Sequence, residues 1–411
     1  MVHKYLLVGL TPLVSLVPIS GNFVKEVEQF SAGEVILPVL DTLKDDGRKF
    51  CLFFDFDKTI IKKNLPDIVR DKQIEEGLFG FGPDMVQDVF GFQSVPTSRD
   101  CILENELFSN KVQEIYRFFL KHQRELNSPH AKLSHEEQEK LKGLFKAWDT
   151  LVFKVIKYKG EENNKRCSYL LLTKDYSHEE QEKLKGLFEA WDTLVFKVIN
   201  YKGEENNKRC SYLLLTKNYR LLFGLEENIR NKLIADAFDV PGSSHLSPEH
   251  LIAMKQKQFA YPKMLEFIKV LREKNAKSFI ITATHYAYLD PTLKALGIED
   301  QFTGVYGTSP TNDLWNNVLT GNGHSMSGIG KANQVQEIKR VEKCTAIFAV
   351  GDSIYDYQML EIVLKEKGYG LVISTKQGEP QKGQLEYIVK RYPKVAIQRV
   401  NDEDWISTYN S

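Results

Sequence analysis

Four aspartates follow two short apolar runs of the sequence. The pairs are Asp55 and Asp57 after residues 50–54, and Asp352 and Asp356 after residues 346–350. Continuous apolar runs of this length are typical of strands buried on both faces of a parallel sheet, which binds ligands beyond the carboxyl ends of its strands. Four carboxylates at that edge repel one another unless a cation neutralises them. Oxygen-only ligands favour a hard cation such as Mg2+.

Each acidic motif alone has an ordinary explanation, as a turn after a strand or a turn that leads into a helix. Two further residues make a shared site the better interpretation. Thr282 follows the apolar run 277–281, with Thr284 as the alternative hydroxyl, and Lys331 begins a helix predicted over 331–341 just before the second acidic strand. The order of the four motifs along the chain carries the specificity.

The four motifs, in this order, resemble those of the haloacid dehalogenase superfamily of phosphotransfer enzymes. They are Asp55-x-Asp57-x-Thr59, Thr282 after a strand, Lys331, and Gly351-Asp352-x-x-x-Asp356. The stretch 296–307 is similar to the helix-to-strand segment that follows the second motif in this family. The resemblance covers about residues 48–60 and 277–375.

The resemblance implies an α/β fold, a Rossmann-like parallel sheet core with a large, mostly helical cap inserted after the first motif. The phosphoserine phosphatase-like branch, which carries a helical cap at this point, is the nearest comparison. We expect helices over 110–126, 226–238 and 262–274, besides those of the repeat described below. The expected domains are an apolar N-terminal segment 1–24, the core 25–61 and 271–411, and the cap 62–270.

The family's chemistry assigns a role to each matching residue. Asp55 is the expected nucleophile, and Asp57 protonates the leaving oxygen and later takes a proton from water, which requires a raised pKa. Thr282 and Lys331 are expected to bind the phosphoryl oxygens. The expected Mg2+ ligands are Asp55, the backbone carbonyl of Asp57, and Asp352, with Asp356 as a further ligand or as an anchor for the others.

These roles predict a Mg2+-dependent phosphomonoester hydrolase that acts through an aspartyl-phosphate intermediate on a small phosphorylated metabolite. One alternative passes the phosphoryl group to another hydroxyl, as a phosphomutase or phosphotransferase does. A second alternative is a partner-binding protein with a vestigial phosphatase site. Degenerate sites usually lose an acid or the lysine, and the sequence retains all of them.

The predicted cap contains a tandem duplication of 43 residues, 134–176 and 177–219, whose copies differ at three positions. In each copy a capping-box pair, Ser134 with Glu137 in the first, begins a helix with one apolar stripe. The stretch 159–165 is predicted to be a polar turn. The duplication could offer a surface to a protein partner, but a tolerated duplication or a gene-model error is the favoured interpretation.

Composition bounds the remaining choices. The 411 residues carry 55 basic and 55 acidic side chains, which argues against nucleic-acid or anionic-membrane binding. Five scattered cysteines predict neither a disulfide framework nor a zinc site. The apolar run 5–19 is too short to span a bilayer. It is either the core of a signal peptide over residues 1–21 or an apolar segment packed on the body of the protein, which leaves a secreted and a cytoplasmic protein both open. The glycine- and phenylalanine-rich stretches 77–83 and 90–92 are interpreted as core rather than as a substrate wall.

Overall fold

The computed structural model describes residues 49–92, 102, 104–128, 132–169, 219–309, 326–375, 388, 391–392, 394–401 and 403–404. The chain forms two compact units. Unit 1 contains Met1–Leu65, Phe238–Gly307 and Met326–Ser411, and unit 2 contains Pro66–Ala237 and Thr308–Ser325. The predicted N-terminal segment 1–24 and almost all of the second repeat copy, Trp191 included, lie outside the described residues.

A six-stranded sheet forms the centre of unit 1, in the order β3-β2-β1-β4-β5-β6. The strands are β1 Phe50–Phe54, β2 Lys277–His285, β3 Gly304–Thr308, β4 Ala346–Gly351, β5 Tyr369–Thr375 and β6 Val395–Val400. Strand β1 pairs in parallel with β2 and β4, as β4 does with β5 and β5 with β6. The chain adds strands on one side of β1 and then on the other, so the strand order reverses between β1 and β4. Parallel sheets bind ligands at such a point.

The α-helices described in unit 1 are α6 Pro248–Phe259, α7 Pro262–Glu273, α8 Tyr286–Leu296, α9 Ile329–Glu342 and α10 Tyr357–Lys365. Every residue of β1 is buried, as an apolar strand covered on both faces must be. On one face Phe53 lies in a cluster that includes Val335 of α9 and Met359 of α10. Phe267 of α7 contacts the ring of Phe348 in β4. Apolar burial thus fixes the strands whose ends carry the predicted site.

A disulfide bond joins Cys51 of β1 to Cys344, which lies two residues before β4. Their Cα atoms are 5.8 Å apart, although 293 positions separate them along the chain. The five scattered cysteines predict no disulfide framework, and this single bond is not among the expectations from the sequence. Spacing along the chain could not reveal the pair, because only the pairing of β1 with β4 brings the two cysteines together.

The helices described in unit 2 are α1 Leu65–Glu76, whose first residue belongs to unit 1, α2 Val86–Gly91, α3 Glu106–Lys121, α4 His135–Tyr169 and α5 Glu227–Asp236. Helix α3 begins earlier than predicted because the Asn105 side chain caps it by accepting the N–H of Phe108. The predicted aromatic stretches are core, as interpreted: Phe79, Phe90 and Phe92 are fully buried.

The predicted polar turn over residues 159–165 is wrong, since α4 continues without a break from His135 to Tyr169. Most of that stretch consists of lysine and glutamate, which favour a helix, and one glycine costs only about 1 kcal/mol relative to alanine. The capping box is present, with Ser134 and Glu137 bonded reciprocally. Trp148 on the apolar stripe is buried and donates its indole N–H to the carbonyl of Phe90.

No helix in the described part of the chain combines the length and the apolar composition that a membrane span requires.

Candidate active site

Asp55 lies directly after β1, and the pairing of β1 with β4 determines its position. Phe54 pairs with Val350, and the backbone N–H of Asp55 donates to the carbonyl of Val350 at 2.9 Å. This bond extends the ladder by one residue and brings Asp55 beside the loop that follows β4. Asp55 is 5% exposed.

Lys331 lies between two of the predicted acids. It occupies the first turn of α9, is 1% exposed, and its Nζ lies 2.7 Å from Oδ1 of Asp55 and 2.5 Å from Oδ1 of Asp356. Burial alone would lower the pKa of Lys331, but the carboxylates of Asp356 and Asp55 outweigh it and raise the pKa above its ordinary value. The ammonium group therefore stays charged, as a phosphoryl-binding cation must.

Asp356 organises the loop that contains Asp352. Its Oδ2 accepts the backbone N–H groups of Asp352 and Ser353 and the hydroxyl of Ser353, while Oδ1 accepts from Lys331. A side chain at Gly351 would meet Asp356, because a Cβ there would lie 2.4 Å from the Cβ of Asp356. With both oxygens engaged, Asp356 suits the predicted role of an anchor better than that of a ligand.

Asp55, Asp352 and Asp356 form an acidic cluster in which one carboxylate oxygen of each lies within 4.8 Å of the others. Burial, followed by repulsion from Asp356, raises the pKa of Asp55 from 3.8 to about 7, against the lowering effect of Lys331. Burial and the charges of Asp356 and Asp55 raise the pKa of Asp352 as well. The single ammonium of Lys331 does not neutralise this cluster. The donor set therefore fits Mg2+, which binds one or two carboxylates and keeps several waters.

Asp57 lies outside that cluster, and two donors hold its carboxylate. Its Oδ1 accepts the backbone N–H of Leu65 at 2.7 Å, and its Oδ2 accepts the hydroxyl of Thr284. The turn that carries it includes Lys58 in a left-handed conformation, φ 55°, which is uncommon for a residue other than glycine. The predicted metal contact through the backbone carbonyl of Asp57 stays a prediction.

Thr282 and Thr284 both lie within β2, which extends to His285, four residues beyond the predicted apolar run. Both are buried and, two residues apart on a strand, they share a face. The Thr282 hydroxyl accepts the backbone N–H of Thr284 at 3.2 Å, whereas the Thr284 hydroxyl donates to Asp57. The sequence points to both threonines but not to the contact with Asp57, because strand alternation shows which residues share a face and not which partner they meet.

The structure thus joins the predicted residues in two groups. Lys331 bridges Asp55 and Asp356 beside Asp352, and Asp57 is bonded to Thr284. The Leu65 N–H that holds Asp57 has no sequence signal, since every residue except proline has a backbone donor.

Part of the chain matches a known protein family. Residues 199–361 match the family model described as haloacid dehalogenase-like hydrolase, a range that includes Thr282, Lys331, Asp352 and Asp356. The first motif, with Asp55 and Asp57, lies outside the matched range. A comparison with curated proteins finds no match.

Among solved structures, a conserved protein of unknown function from Anaerococcus prevotii is 13% identical with a TM-score of 0.52, over 91% of this chain and 95% of that chain. This likeness shows a shared fold. A HAD family hydrolase from Salmonella enterica serovar Typhi is 10% identical (TM-score 0.30, 92% of this chain and 81% of that chain). A substrate-bound phosphoserine phosphatase is 12% identical (TM-score 0.27, 79% and 86%). On the family match, residues 199–361 are similar to a haloacid dehalogenase-like hydrolase domain.

Proposed function

We propose that this protein is a Mg2+-dependent phosphomonoester hydrolase that acts on a small phosphorylated metabolite. The observation that carries the proposal is the buried contact between Lys331 and Asp55 beside the acids of the loop after β4. This arrangement supplies a carboxylate nucleophile, a permanent cation for phosphoryl oxygens, and ligands for a hard metal ion. Phosphoryl transfer needs these components, because catalysis depends on positioning and on neutralising charge.

In the first step, a carboxylate oxygen of Asp55 attacks the phosphorus atom and forms an aspartyl phosphate. The bond from phosphorus to the leaving oxygen breaks, and Asp57 gives its proton to that oxygen, which departs as an alcohol. Lys331 stays charged throughout, and its ammonium attracts the phosphoryl oxygens. The hydroxyl of Thr282 donates a hydrogen bond to one of these oxygens.

In the second step, Asp57, now ionised, takes a proton from a water molecule as that water attacks the phosphorus atom. The bond between phosphorus and Asp55 breaks, which regenerates the carboxylate and releases inorganic phosphate. Asp352 and Asp55 are the proposed metal ligands, and Asp356 holds the Asp352 loop through its backbone N–H groups. When bound, Mg2+ supplies charge neutralisation between the nucleophile and the phosphoryl group.

The phosphomutase or phosphotransferase alternative uses the same residues, since Asp57 can activate a second hydroxyl as readily as water. Only product analysis separates the two reactions. The partner-binding alternative requires a degenerate site. The contacts among Asp55, Lys331 and Asp356 argue against it.

The test is phosphate release from 4-nitrophenyl phosphate, with Mg2+ and with EDTA, by the wild type and by Asp55→Asn. We expect EDTA to abolish release and Asp55→Asn to lower it by at least about a thousandfold, as loss of a catalytic nucleophile does. Asp290→Asn is the matched control, because the Asp290 side chain is 70% exposed and forms an ion pair with Lys294 on the surface of helix α8. Activity that persists in Asp55→Asn contradicts the proposal.

A further inference from the structure

We propose that Thr284 is the positioning residue for the acid–base group Asp57, and that Thr282 alone supplies the phosphoryl-binding hydroxyl. This inference rests on the proposed function. It assigns different roles to the hydroxyls of Thr282 and Thr284, which the sequence does not distinguish. It concerns the orientation of Asp57.

The carboxyl group of Asp57 is held from both sides. Leu65 donates its backbone N–H to Oδ1 at 2.7 Å, and Thr284 donates its hydroxyl to Oδ2. Two donors on the two oxygens fix the plane of the carboxyl group. A general acid must present its proton within hydrogen-bond reach of the leaving oxygen and at a suitable angle, so a fixed plane contributes directly to the rate.

The surroundings of Thr284 keep its hydroxyl next to Asp57. It is 5% exposed and lies in β2, which pairs with β1, the strand that precedes Asp55 and Asp57. Its backbone N–H donates to the Thr282 hydroxyl at 3.2 Å, and its branched side chain has few accessible χ1 rotamers. Neither the main chain nor the side chain has much freedom to move away from Asp57.

The same contacts separate the roles of the two threonines. The hydroxyl hydrogen of Thr284 points to Asp57, so it is not available to a phosphoryl oxygen while that bond persists. The Thr282 oxygen accepts a backbone N–H, which leaves its own hydrogen to be donated. Loss of Thr284 therefore impairs proton donation, whereas loss of Thr282 impairs phosphoryl binding.

The test compares two aryl phosphates of similar size, 4-nitrophenyl phosphate and phenyl phosphate, by kcat/KM, which reports the step in which the leaving group departs. Nitrophenolate leaves readily without a proton. Phenolate is a poorer leaving group, so its departure depends more strongly on protonation. We expect Thr284→Val to lower kcat/KM for phenyl phosphate at least about tenfold more than for 4-nitrophenyl phosphate, within the range of general acid catalysis. Thr284→Ser keeps the hydroxyl and should restore both values to within about threefold of the wild type. Thr282→Val should lower both values by a similar factor.

Equal losses for both substrates in Thr284→Val, or failure of Thr284→Ser to restore activity, overturn the inference while the proposed function stands. Thermal unfolding midpoints check that each variant folds, and Thr284→Ala replaces Thr284→Val where valine prevents folding. A wild type that hydrolyses neither substrate in Mg2+ refutes the proposed function and this role together.

Discussion

At the scale of single residues, three carboxylates and one ammonium group share a site from which most water is excluded. Asp55 and Asp356 both bond to Lys331, and Asp352 lies within 4.8 Å of their oxygens. Removing one partner of a buried ion pair is strongly destabilising, because the remaining charge is left without compensation. Here the acids outnumber the cation even with Lys331 present, so a dication bound at this site would relieve the excess of negative charge.

The raised pKa of Asp55 predicts how the stability of the metal-free protein depends on pH. Because this pKa is about 7 in the folded state and 3.8 for an ordinary aspartate carboxyl group, the folded protein binds more protons between these values. The free energy of unfolding contributed by this group therefore falls as pH rises from about 4 to about 7. The proposed Mg2+ site consists of ionised carboxylates, so the stabilisation by Mg2+ should increase over the same range.

The measurement is urea unfolding in Mg2+ and in EDTA at pH 5 and at pH 8. We expect the difference between Mg2+ and EDTA to be larger at pH 8, by a few kcal/mol. Asp55→Asn is the control, since it removes one titrating acid and should reduce the pH dependence. A Mg2+ effect of equal size at both pH values contradicts this view of the site.

The residue types and their order predict that the acids after β1 and β4 lie near Lys331, but not how these side chains are bonded. Asp55, Lys331 and Asp356 could be named from the sequence because acids and lysines follow strands and begin helices in a recognisable order. The pairing of Thr284 with Asp57 depends on how far β2 extends, and the apolar pattern of β2 ends at Ile281. Polar residues that continue a strand carry no periodic signal.

At the scale of elements, the loop after β4 depends on a glycine. A Cβ at Gly351 would lie 2.4 Å from Cβ and 2.6 Å from Cγ of Asp356, closer than side-chain atoms can approach. Gly351→Ala therefore must displace Asp356, and with it the Lys331 contact and the N–H groups that Asp356 holds.

We expect Gly351→Ala to destabilise the protein by about 1–3 kcal/mol, as overpacking does, and to abolish most phosphate release. Gly143→Ala is the matched control. Gly143 lies within helix α4, and a Cβ there meets nothing within 4 Å, so alanine should be neutral or stabilise by up to about 1 kcal/mol. Chemical denaturation and phosphate release measure both variants. A Gly351→Ala protein with wild-type activity would refute the dependence on this glycine.

Elements with a clear apolar pattern agree with their predicted bounds. Elements without such a pattern do not. Strand β1 matches its predicted bounds, and α7 ends within one residue of its prediction. The sequence pattern predicts neither α1 nor α6, and α4 passes through residues 159–165, which are predicted to form a turn. In α1 and α6 polar residues are interspersed among the apolar ones, and residues 159–165 of α4 are polar, so propensity and tertiary contacts decide the structure there rather than periodicity.

At the scale of the whole molecule, the bond between Cys51 and Cys344 closes a loop across 293 positions of the chain. Closing a long loop removes conformational freedom from the unfolded chain and stabilises the folded state. Disulfides persist in oxidising compartments, so we propose the secreted rather than the cytoplasmic interpretation of this protein.

Reduction should lower the free energy of unfolding by about 2–5 kcal/mol. Guanidinium unfolding with and without a reductant measures this change. The double variant Cys51→Ala with Cys344→Ala should be insensitive to the reductant, which makes it the matched control. Alkylation of both thiols in protein that has been unfolded without reduction would show that the bond is absent.

The two repeat copies belong to this scale as well. The first copy supplies buried residues of unit 2, among them Phe145 and Trp148. The second copy lies almost wholly outside the described residues, and the duplication stays a feature of the sequence. The chain with both copies has a mass of 47.3 kDa. Comparing the measured mass of the intact purified protein with this value tests whether both copies are present.

The central claim is that Asp55 carries the phosphoryl group, and trapping the intermediate tests it most directly. Asp57→Asn should slow hydrolysis of the aspartyl phosphate while 4-nitrophenyl phosphate, with its readily departing group, still phosphorylates the enzyme. Borohydride reduces an aspartyl phosphate to homoserine, which peptide mass spectrometry locates in the chain. We predict homoserine at position 55 in the presence of substrate and Mg2+, and none in the variant that also carries Asp55→Asn. Homoserine at another position, or at none, contradicts the account.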